Sequence, residues 1–139
     1  MTRAFIFPGQ GSQVVGMGKA LADAIPAARA VFAEVDEALG QSLTRIMWEG
    51  PIETLTLTEN AQPALMASSL AVMRVLEAEK GLQLKSVASF VAGHSLGEYS
   101  ALAAAGTFTI ADAARLLRLR GQAMQKAVPV GVGADPASG

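Results

Sequence analysis

The most constraining feature of the sequence is a glycine-flanked serine between a strand-like run and a helix-like run. Residues 87–92 (VASFVA) are apolar except for Ser89 and too few for a helix, so they predict a buried strand. Residues 93–97 (GHSLG) follow directly, and the alanine-rich stretch after them predicts a helix to about Gly106. A sharp strand-to-helix turn exposes its serine hydroxyl and needs glycines where backbones approach closely. The pattern therefore indicates a nucleophilic Ser95, although ordinary glycine-flanked turns also match so short a motif.

Two neighbours of Ser95 bear on this chemistry. We expect the Leu96 N–H at the start of the helix, at the positive end of the helix dipole, where an oxyanion could be stabilised. His94 is the single histidine of the chain. Side chains that are adjacent on a sharp turn diverge, which disfavours His94 as the base that takes the Ser95 proton. A packing or hydrogen-bonding role beside the site fits His94 better.

The rest of the sequence predicts alternating strands and helices. Residues 4–7 (AFIF) predict a buried strand, and the glycine-rich loop that follows carries Gln10 and allows close backbone approach to a ligand. One-sided apolar spacing predicts helices over residues 26–39, over 60–81 with Asn60 as the N-cap, and over about 109–128. This order favours an α/β fold with a parallel sheet.

Composition excludes several classes of function. The 139 residues are 51% hydrophobic and 17% charged, which suits a packed core. A net charge of -1 without a basic block gives no electrostatic reason to expect nucleic acid or an anionic membrane as a partner. The absence of cysteine excludes disulfides and a thiolate nucleophile, and with one histidine it argues against a zinc site. Without a signal-peptide core or a long apolar window, we expect a soluble, cytoplasmic protein.

One arginine lies on the predicted apolar face of the last helix. At 100° per residue, Arg115 and Arg118 fall on the opposite face, which we expect to be solvated, whereas Arg120 falls on the apolar one. The predicted neighbours of Arg120 are Ala113, Leu116, Leu117, Ala123, Met124 and Ala127. A guanidinium in such a place is costly unless it meets an anion. A structural ion pair, snorkelling at the edge of the stripe, or bidentate capture of a ligand's carboxylate would each explain it.

Four segments resemble, in order and spacing, the signature blocks of malonyl-CoA:acyl carrier protein transacylases. They are residues 7–13 (FPGQGSQ), 60–64 (NAQPA), 93–99 (GHSLGEY) and 120–125 (RGQAMQ), and the resemblance covers nearly the whole chain. It implies that Ser95 takes a malonyl group from coenzyme A as an ester and passes it to the phosphopantetheine thiol of acyl carrier protein. Malonyl-CoA and acyl carrier protein are then the expected substrates and partners, without a permanently bound cofactor or a metal.

The resemblance also implies roles for single residues. Gln10 and the Leu96 N–H would hold the oxyanion, and Arg120 would bind the free carboxylate of the malonyl group. Gln62 and His94 would line or support the pocket. Helical phase and the resemblance single out Arg120 independently of each other, which favours its carboxylate-binding role.

The fold implied by the resemblance is a large α/β-hydrolase-like subdomain with an inserted ferredoxin-like small subdomain. Residues 1–128 would be the N-terminal part of the large subdomain, and residues 129–139 the start of the small one or a tail outside the family pattern. The parallel sheet would be incomplete and the small subdomain absent. The family's general-base histidine lies beyond Gly139, so we expect a truncated, weakly active or inactive form of the enzyme.

Two other classes of function stay open at this point. A serine esterase or hydrolase shares the elbow, but it gives no reason for Gln10 in a glycine loop or for Arg120. A non-catalytic fragment that acts only by binding is the other alternative. Within the family, Met1 directly before the first strand favours a discrete fatty-acid enzyme over a polyketide acyltransferase domain.

Overall fold

The chain is described by a computed structural model that covers residues 4–81, 90–93 and 95–127. Strands β1 (Ala4–Phe7) and β2 (Phe90–Gly93) pair in parallel. The helices in the described ranges are α1 (Lys19–Ala24), α2 (Pro26–Leu39), α3 (Leu43–Glu49), α4 (Ile52–Thr56), α5 (Thr58–Lys80), α6 (Gly97–Ala104) and α7 (Ile110–Ala127). The α/β class and the parallel pairing predicted from the sequence are confirmed.

The parallel pairing brings together the two loops that the sequence singled out. Phe7 lies opposite Gly93 in the register, so both strands end at the same edge of the sheet. The loop with Gln10 leaves β1 there, and the turn with Ser95 leaves β2 beside it. Parallel neighbours require a crossover between them. Helices α1 to α5 lie within that crossover.

Helices α2, α5 and α7 form the main packed layer. Phe32, Leu70 and Leu117 are each 1% exposed or less and belong to one apolar cluster, which Leu96 of α6 also joins. Residues 60–67 of α5 are buried without interruption, so this part of the helix is covered on every side. Polar side chains in that stretch must therefore find partners inside the protein.

The ends of the longer helices follow the sequence. Gly40 ends α2 with φ of 63°, and Gly81 ends α5 with φ of 64°. A left-handed residue at this position is most easily supplied by glycine, which has no Cβ to clash. The predicted limits of these two helices at their carboxyl ends are confirmed.

The predicted beginning of α5 is wrong by two residues. The helix begins at Thr58, and Asn60 lies inside it instead of capping it. The Asn60 side chain donates from Nδ2 to the Thr54 carbonyl oxygen at 2.9 Å, which ties α5 to the end of α4. The short helices α1, α3 and α4, with seven residues or fewer, also escaped prediction, because so few residues carry little periodicity.

The buried face of α7 is rotated from the predicted one. Ala113, Ala114, Leu117 and Gly121 are buried, whereas Leu116 and Met124 are 39% and 38% exposed. The helix packs through its smallest residues because Gly121 lies against the backbone of Thr58 and Glu59; a Cβ there would come within 2.6 Å of Glu59 Cα. Arg120 consequently lies at the edge of the buried face.

Part of the apolar surface of the described chain is open to solvent. The Ile6 side chain of β1 is 77% exposed, although parallel strands are usually covered on both faces. Leu119 of α7 is 63% exposed. None of the helices in the described ranges is long and apolar enough to cross a membrane.

Candidate active site

The turn after β2 holds Ser95 in a conformation that is uncommon for a side chain. Its φ is 54°, in the left-handed region, and its side chain is exposed. The Glu98 N–H donates to the Ser95 carbonyl oxygen at 3.0 Å, which closes the turn into α6. Strained backbone of this kind is characteristic of the serine in a nucleophile elbow.

Steric contacts explain both glycines of the motif. A Cβ on Gly93 would overlap the carbonyl group of Gly97, and a Cβ on Gly97 would overlap the carbonyl oxygen of Phe7. The turn therefore folds back onto its own strand and onto the neighbouring one. An ordinary glycine-flanked turn has no such requirement, and the geometry favours the elbow interpretation.

The two predicted oxyanion donors belong to different segments, the loop after β1 and the turn after β2. Leu96 is 1% exposed and is the N-cap of α6, so its N–H is at the amino end of the helix and outside the intrahelical ladder. The Gln10 side chain is turned towards α5, where Nε2 donates to Thr58 Oγ1 at 3.3 Å. The joint oxyanion role of Leu96 and Gln10 stays a prediction.

Arg120 reaches the serine directly. Its Nη2 donates to Ser95 Oγ at 3.0 Å, and its Nη1 donates to Gln62 Oε1 at 2.7 Å. The guanidinium carbon lies 5.7 Å from the centroid of the Tyr99 ring, within cation–π range. The structure thus brings together three side chains that the sequence singled out from three different helices or turns: Ser95, Arg120 and Gln62.

Both ends of the Gln62 side-chain amide are hydrogen-bonded. The residue is fully buried, and its Nε2 donates to Met124 Sδ at 3.2 Å while Oε1 accepts from Arg120. This contact fixes which end of the amide faces the guanidinium. Met124 therefore acts on the site through Gln62, a role that helical phase alone did not reveal.

Tyr99 is a site residue that the sequence reasoning missed. Its ring lies under Arg120 and stacks on Phe108 with centroids 6.3 Å apart. Tyr99 follows Ser95 by four residues, and that spacing across the start of a helix places two side chains on one side. This spacing was the signal in the sequence that could have identified Tyr99 as a site residue.

The expectation that Arg118 is solvated is wrong. Its Nη1 donates to the buried Asn60 at 2.8 Å, and its Nη2 is buried and finds no hydrogen-bond partner among the residues described. Burial lowers the pKa of the Arg118 guanidinium below its usual value, and the Glu59 carboxylate opposes that shift. The close approach at Gly121 presses this side of α7 against α5. Arg115 does lie in solvent and pairs with Asp112 at 3.2 Å, as expected for its face.

Some predicted features lie outside the described part of the chain. These are His94 and the segment 128–139, including the boundary predicted at residue 129. Within the described ranges, no group of three or more histidine, cysteine, aspartate or glutamate side chains could hold a metal ion.

Residues 4–136 match the family model described as the acyl transferase domain. The chain belongs to this family. The elbow, the arginine beside it and the buried glutamine are therefore parts of an acyl transferase domain.

Individual members of the family are more than twice as long as this chain. The chain is 52% identical over 131 residues to the malonyl CoA-acyl carrier protein transacylase of Bacillus subtilis (strain 168), a match that covers 94% of this chain and 40% of the relative. Among solved structures, it resembles the acyl-carrier-protein-S-malonyltransferase of Bartonella henselae at 59% identity and a TM-score of 0.91, over 99% of this chain and 46% of that one.

A third match has been solved with a partner. It is a malonyl-transacylase in complex with the acyl-carrier protein of a type II polyketide synthase. This chain is 48% identical to it with a TM-score of 0.84, and the match covers 93% of this chain and 40% of the other. The chain thus spans between two fifths and just under half of the length of these relatives.

Proposed function

We propose that Ser95 is the nucleophile of an acyltransferase that moves a malonyl group from coenzyme A to the phosphopantetheine thiol of acyl carrier protein. The observation that carries this proposal is the 3.0 Å contact between the Arg120 guanidinium and Ser95 Oγ. A malonyl group on Ser95 ends in a carboxylate, and a permanent cation with a planar fork beside the serine suits that group. The transacylases at 48–59% identity act on, or are named for, the same acyl group.

The proposed chemistry has two acyl-transfer steps. In the first, Ser95 Oγ attacks the thioester carbonyl of malonyl-CoA, the carbon–sulfur bond breaks, and coenzyme A leaves as its thiol. In the second, the phosphopantetheine thiol attacks the malonyl-serine ester and regenerates the Ser95 hydroxyl. The Leu96 N–H and the Gln10 amide would donate to the oxyanion in each step, and Gln10 would exchange its bond to Thr58 for the oxyanion.

The proton transfers require a base that these residues do not supply. We assign this role to a histidine outside the 139 residues, because side chains of adjacent residues on a sharp turn are expected to diverge, which disfavours His94 as the base for Ser95. His94 is proposed instead to line or support the pocket together with Gln62. Without the base, the isolated chain should transfer acyl groups very poorly.

We assign residues 1–128 to the N-terminal part of an α/β-hydrolase-like large subdomain. The parallel pair of strands and the strained serine after β2 support this assignment. The 77% exposure of Ile6 supports an incomplete sheet whose remaining cover comes from elsewhere. Residues 129–139 would begin the ferredoxin-like small subdomain or form a tail outside the pattern.

A chimera tests the proposal. This chain would be joined to the part of the Bacillus subtilis relative that lies beyond the 131 aligned residues. Incubation with malonyl-CoA should leave a malonyl group on Ser95, seen by peptide mass spectrometry, and acyl carrier protein should then remove it. Ser95→Ala should abolish the label, and transfer should fall by several orders of magnitude.

The same experiment separates the alternatives. Label on another residue, or unchanged labelling in Ser95→Ala, would contradict the assignment of the nucleophile. Release of free malonate without loading of acyl carrier protein would indicate a hydrolase. The 139-residue chain alone serves as the control that lacks the base, and turnover equal to that of the chimera would show that no base is missing.

A further inference from the structure

The hydrogen bond between Arg120 and Ser95 has a consequence for how the substrate is chosen. We propose that the Ser95 hydroxyl competes with the substrate's carboxylate for Arg120, so that binding of a carboxylate frees the nucleophile. The inference rests on the proposed function, in which Arg120 receives the carboxylate of the acyl group. It adds that Ser95 is itself a specificity-determining residue.

Two contacts hold one side of the guanidinium in place, whereas the hydrogen-bond acceptor on the other side can be replaced. Nη1 donates at 2.7 Å to Gln62, whose amide is fully buried and anchored on Met124. The Tyr99 ring lies against the guanidinium at 5.7 Å. Nη2, in contrast, donates at 3.0 Å to the hydroxyl of Ser95, which is exposed. A change of acceptor at Nη2 therefore leaves the anchored side of Arg120 in place.

The serine cannot follow the guanidinium when the acceptor changes. Its backbone is held at φ 54° in a turn whose glycines, Gly93 and Gly97, are packed against neighbouring carbonyl groups. Ser95 Oγ thus stays at the elbow while Arg120 turns towards another acceptor. The exchange separates Nη2 from the nucleophile without disturbing the elbow.

The strengths of the two acceptors decide the direction of the exchange. Both acceptors receive a charge-assisted bond from the guanidinium, but only a carboxylate adds a full opposite charge, which makes its bond the stronger of the two. A malonyl carboxylate therefore displaces the neutral Ser95 hydroxyl from Nη2, and the oxygen lone pair becomes available for attack. An acetyl group offers no charged acceptor, so Arg120 stays on Ser95 and the lone pair stays engaged. The carboxylate then promotes acylation in addition to binding.

If Ser95 and malonate compete for Arg120, the competition can be tested by malonate binding without any acyl transfer. If Ser95 occupies Nη2 in the free protein, removing its hydroxyl removes the competitor, and free malonate should bind more tightly. We expect Ser95→Gly and Ser95→Ala to lower the malonate Kd by about 2- to 10-fold, the range that a single hydrogen bond supports. Ser95→Gly also relieves the positive φ, so the pair of variants separates the hydroxyl from backbone strain.

The measurement is a titration of the 139-residue chain with sodium malonate, followed by NMR. The signals to follow are the Gln62 side-chain amide and the backbone N–H of Gly121. Arg120→Ala should abolish the shifts, Arg115→Ala should leave the Kd unchanged, and neutral malonamide should cause no shift. Far-UV circular dichroism of each variant checks that it is folded.

Two results would overturn the inference in distinguishable ways. Malonate binding that depends on Arg120 but has the same or a weaker affinity in both Ser95 variants would show that the serine does not compete, and the proposed function would stand. The absence of malonate binding to the unmodified chain would remove the competition outright. Malonyl-serine formation in the chimera would then decide separately whether the proposed function survives.

Discussion

The elbow and the arginine layer are built in different ways, although they meet at one hydrogen bond. The elbow, residues 93–97, is held by its backbone: a Cβ on Gly93 or on Gly97 would overlap a carbonyl group, and the φ of Ser95 is 54°. Such a turn has a single acceptable packing. It fixes the position of Ser95 Cβ without help from other side chains and so limits Oγ to the rotamers about the Cα–Cβ bond.

The arginine layer, which consists of Asn60, Gln62, Arg118 and Arg120, is held by side chains. Each arginine donates from Nη1 to an amide of α5, Arg118 to Asn60 at 2.8 Å and Arg120 to Gln62 at 2.7 Å. The close contact at Gly121 lies next to both pairs along α7. Removing one of these side chains breaks side-chain contacts and does not require the backbone to move.

Because of this difference, we expect the elbow to determine reactivity and the arginine layer to determine selectivity. A substitution at Gly93 or Gly97 should act all-or-none, because the backbone itself has to move. A substitution in the arginine layer should act by degrees, on stability or on the choice of acyl group.

The largest effect is expected for Gly97→Ala. Its Cβ would overlap the Phe7 carbonyl oxygen, which belongs to the adjacent strand and cannot move without breaking the sheet. We expect the free energy of unfolding, measured by urea denaturation, to fall by more than about 3 kcal/mol. Gly81→Ala is the control: nothing lies within 4 Å of its Cβ, so its cost should be limited to about 1–2 kcal/mol for the left-handed φ. Equal losses in the two variants would contradict the steric account of the elbow.

A smaller loss is expected for Gly121→Ala. Its Cβ would come within 2.6 Å of Glu59 Cα and 2.7 Å of the Thr58 carbonyl oxygen, so α7 has to move away from α5. Overpacking of this kind costs about 1–3 kcal/mol in stability. The displacement should also lengthen the bond between Arg120 and Gln62 and weaken malonate binding. The exposed Gln122→Ala should change both quantities little, and an equal response there would argue against the helix contact.

The smallest effect is expected for Arg118→Ala. The substitution leaves the buried Asn60 oxygen without its donor, but it also removes a buried Nη2 that finds no partner in the described ranges. These contributions oppose each other, and we expect a net loss of about 1 kcal/mol in the free energy of unfolding. Arg115→Ala, which breaks an exposed pair with Asp112, should lose about 0.5 kcal/mol or less. A larger loss in Arg115→Ala than in Arg118→Ala would reverse the assignment of the two faces.

The division between elbow and arginine layer also marks what the sequence could predict. The elbow is local: strand, glycines, serine and helix are consecutive, so the pattern contained the geometry of Ser95. The arginine layer, in contrast, depends on tertiary contacts between α5 and α7. Helical phase singled out Arg120, which contacts Ser95 in the structure, but it placed Arg118 in solvent, because the phase of one helix does not show that Gly121 lies against α5. The buried role of Asn60 was missed for the same reason, since Arg118, its partner in the layer, is 58 residues away in sequence.

The central claim is that Ser95 and Arg120 together form a site for a carboxylated acyl group. Its most direct test is the ratio of kcat/KM for malonyl-CoA to that for acetyl-CoA in the chimera and in its Arg120→Ala variant. Loss of a charge-assisted contact should lower the ratio by about 30-fold or more, with acetyl transfer spared or improved. Arg120→Lys should restore the ratio only in part, because an ammonium lacks the planar fork. Arg115→Ala should leave the ratio unchanged. Equal losses of kcat/KM for both substrates in Arg120→Ala would contradict the claim, because the arginine would then be structural.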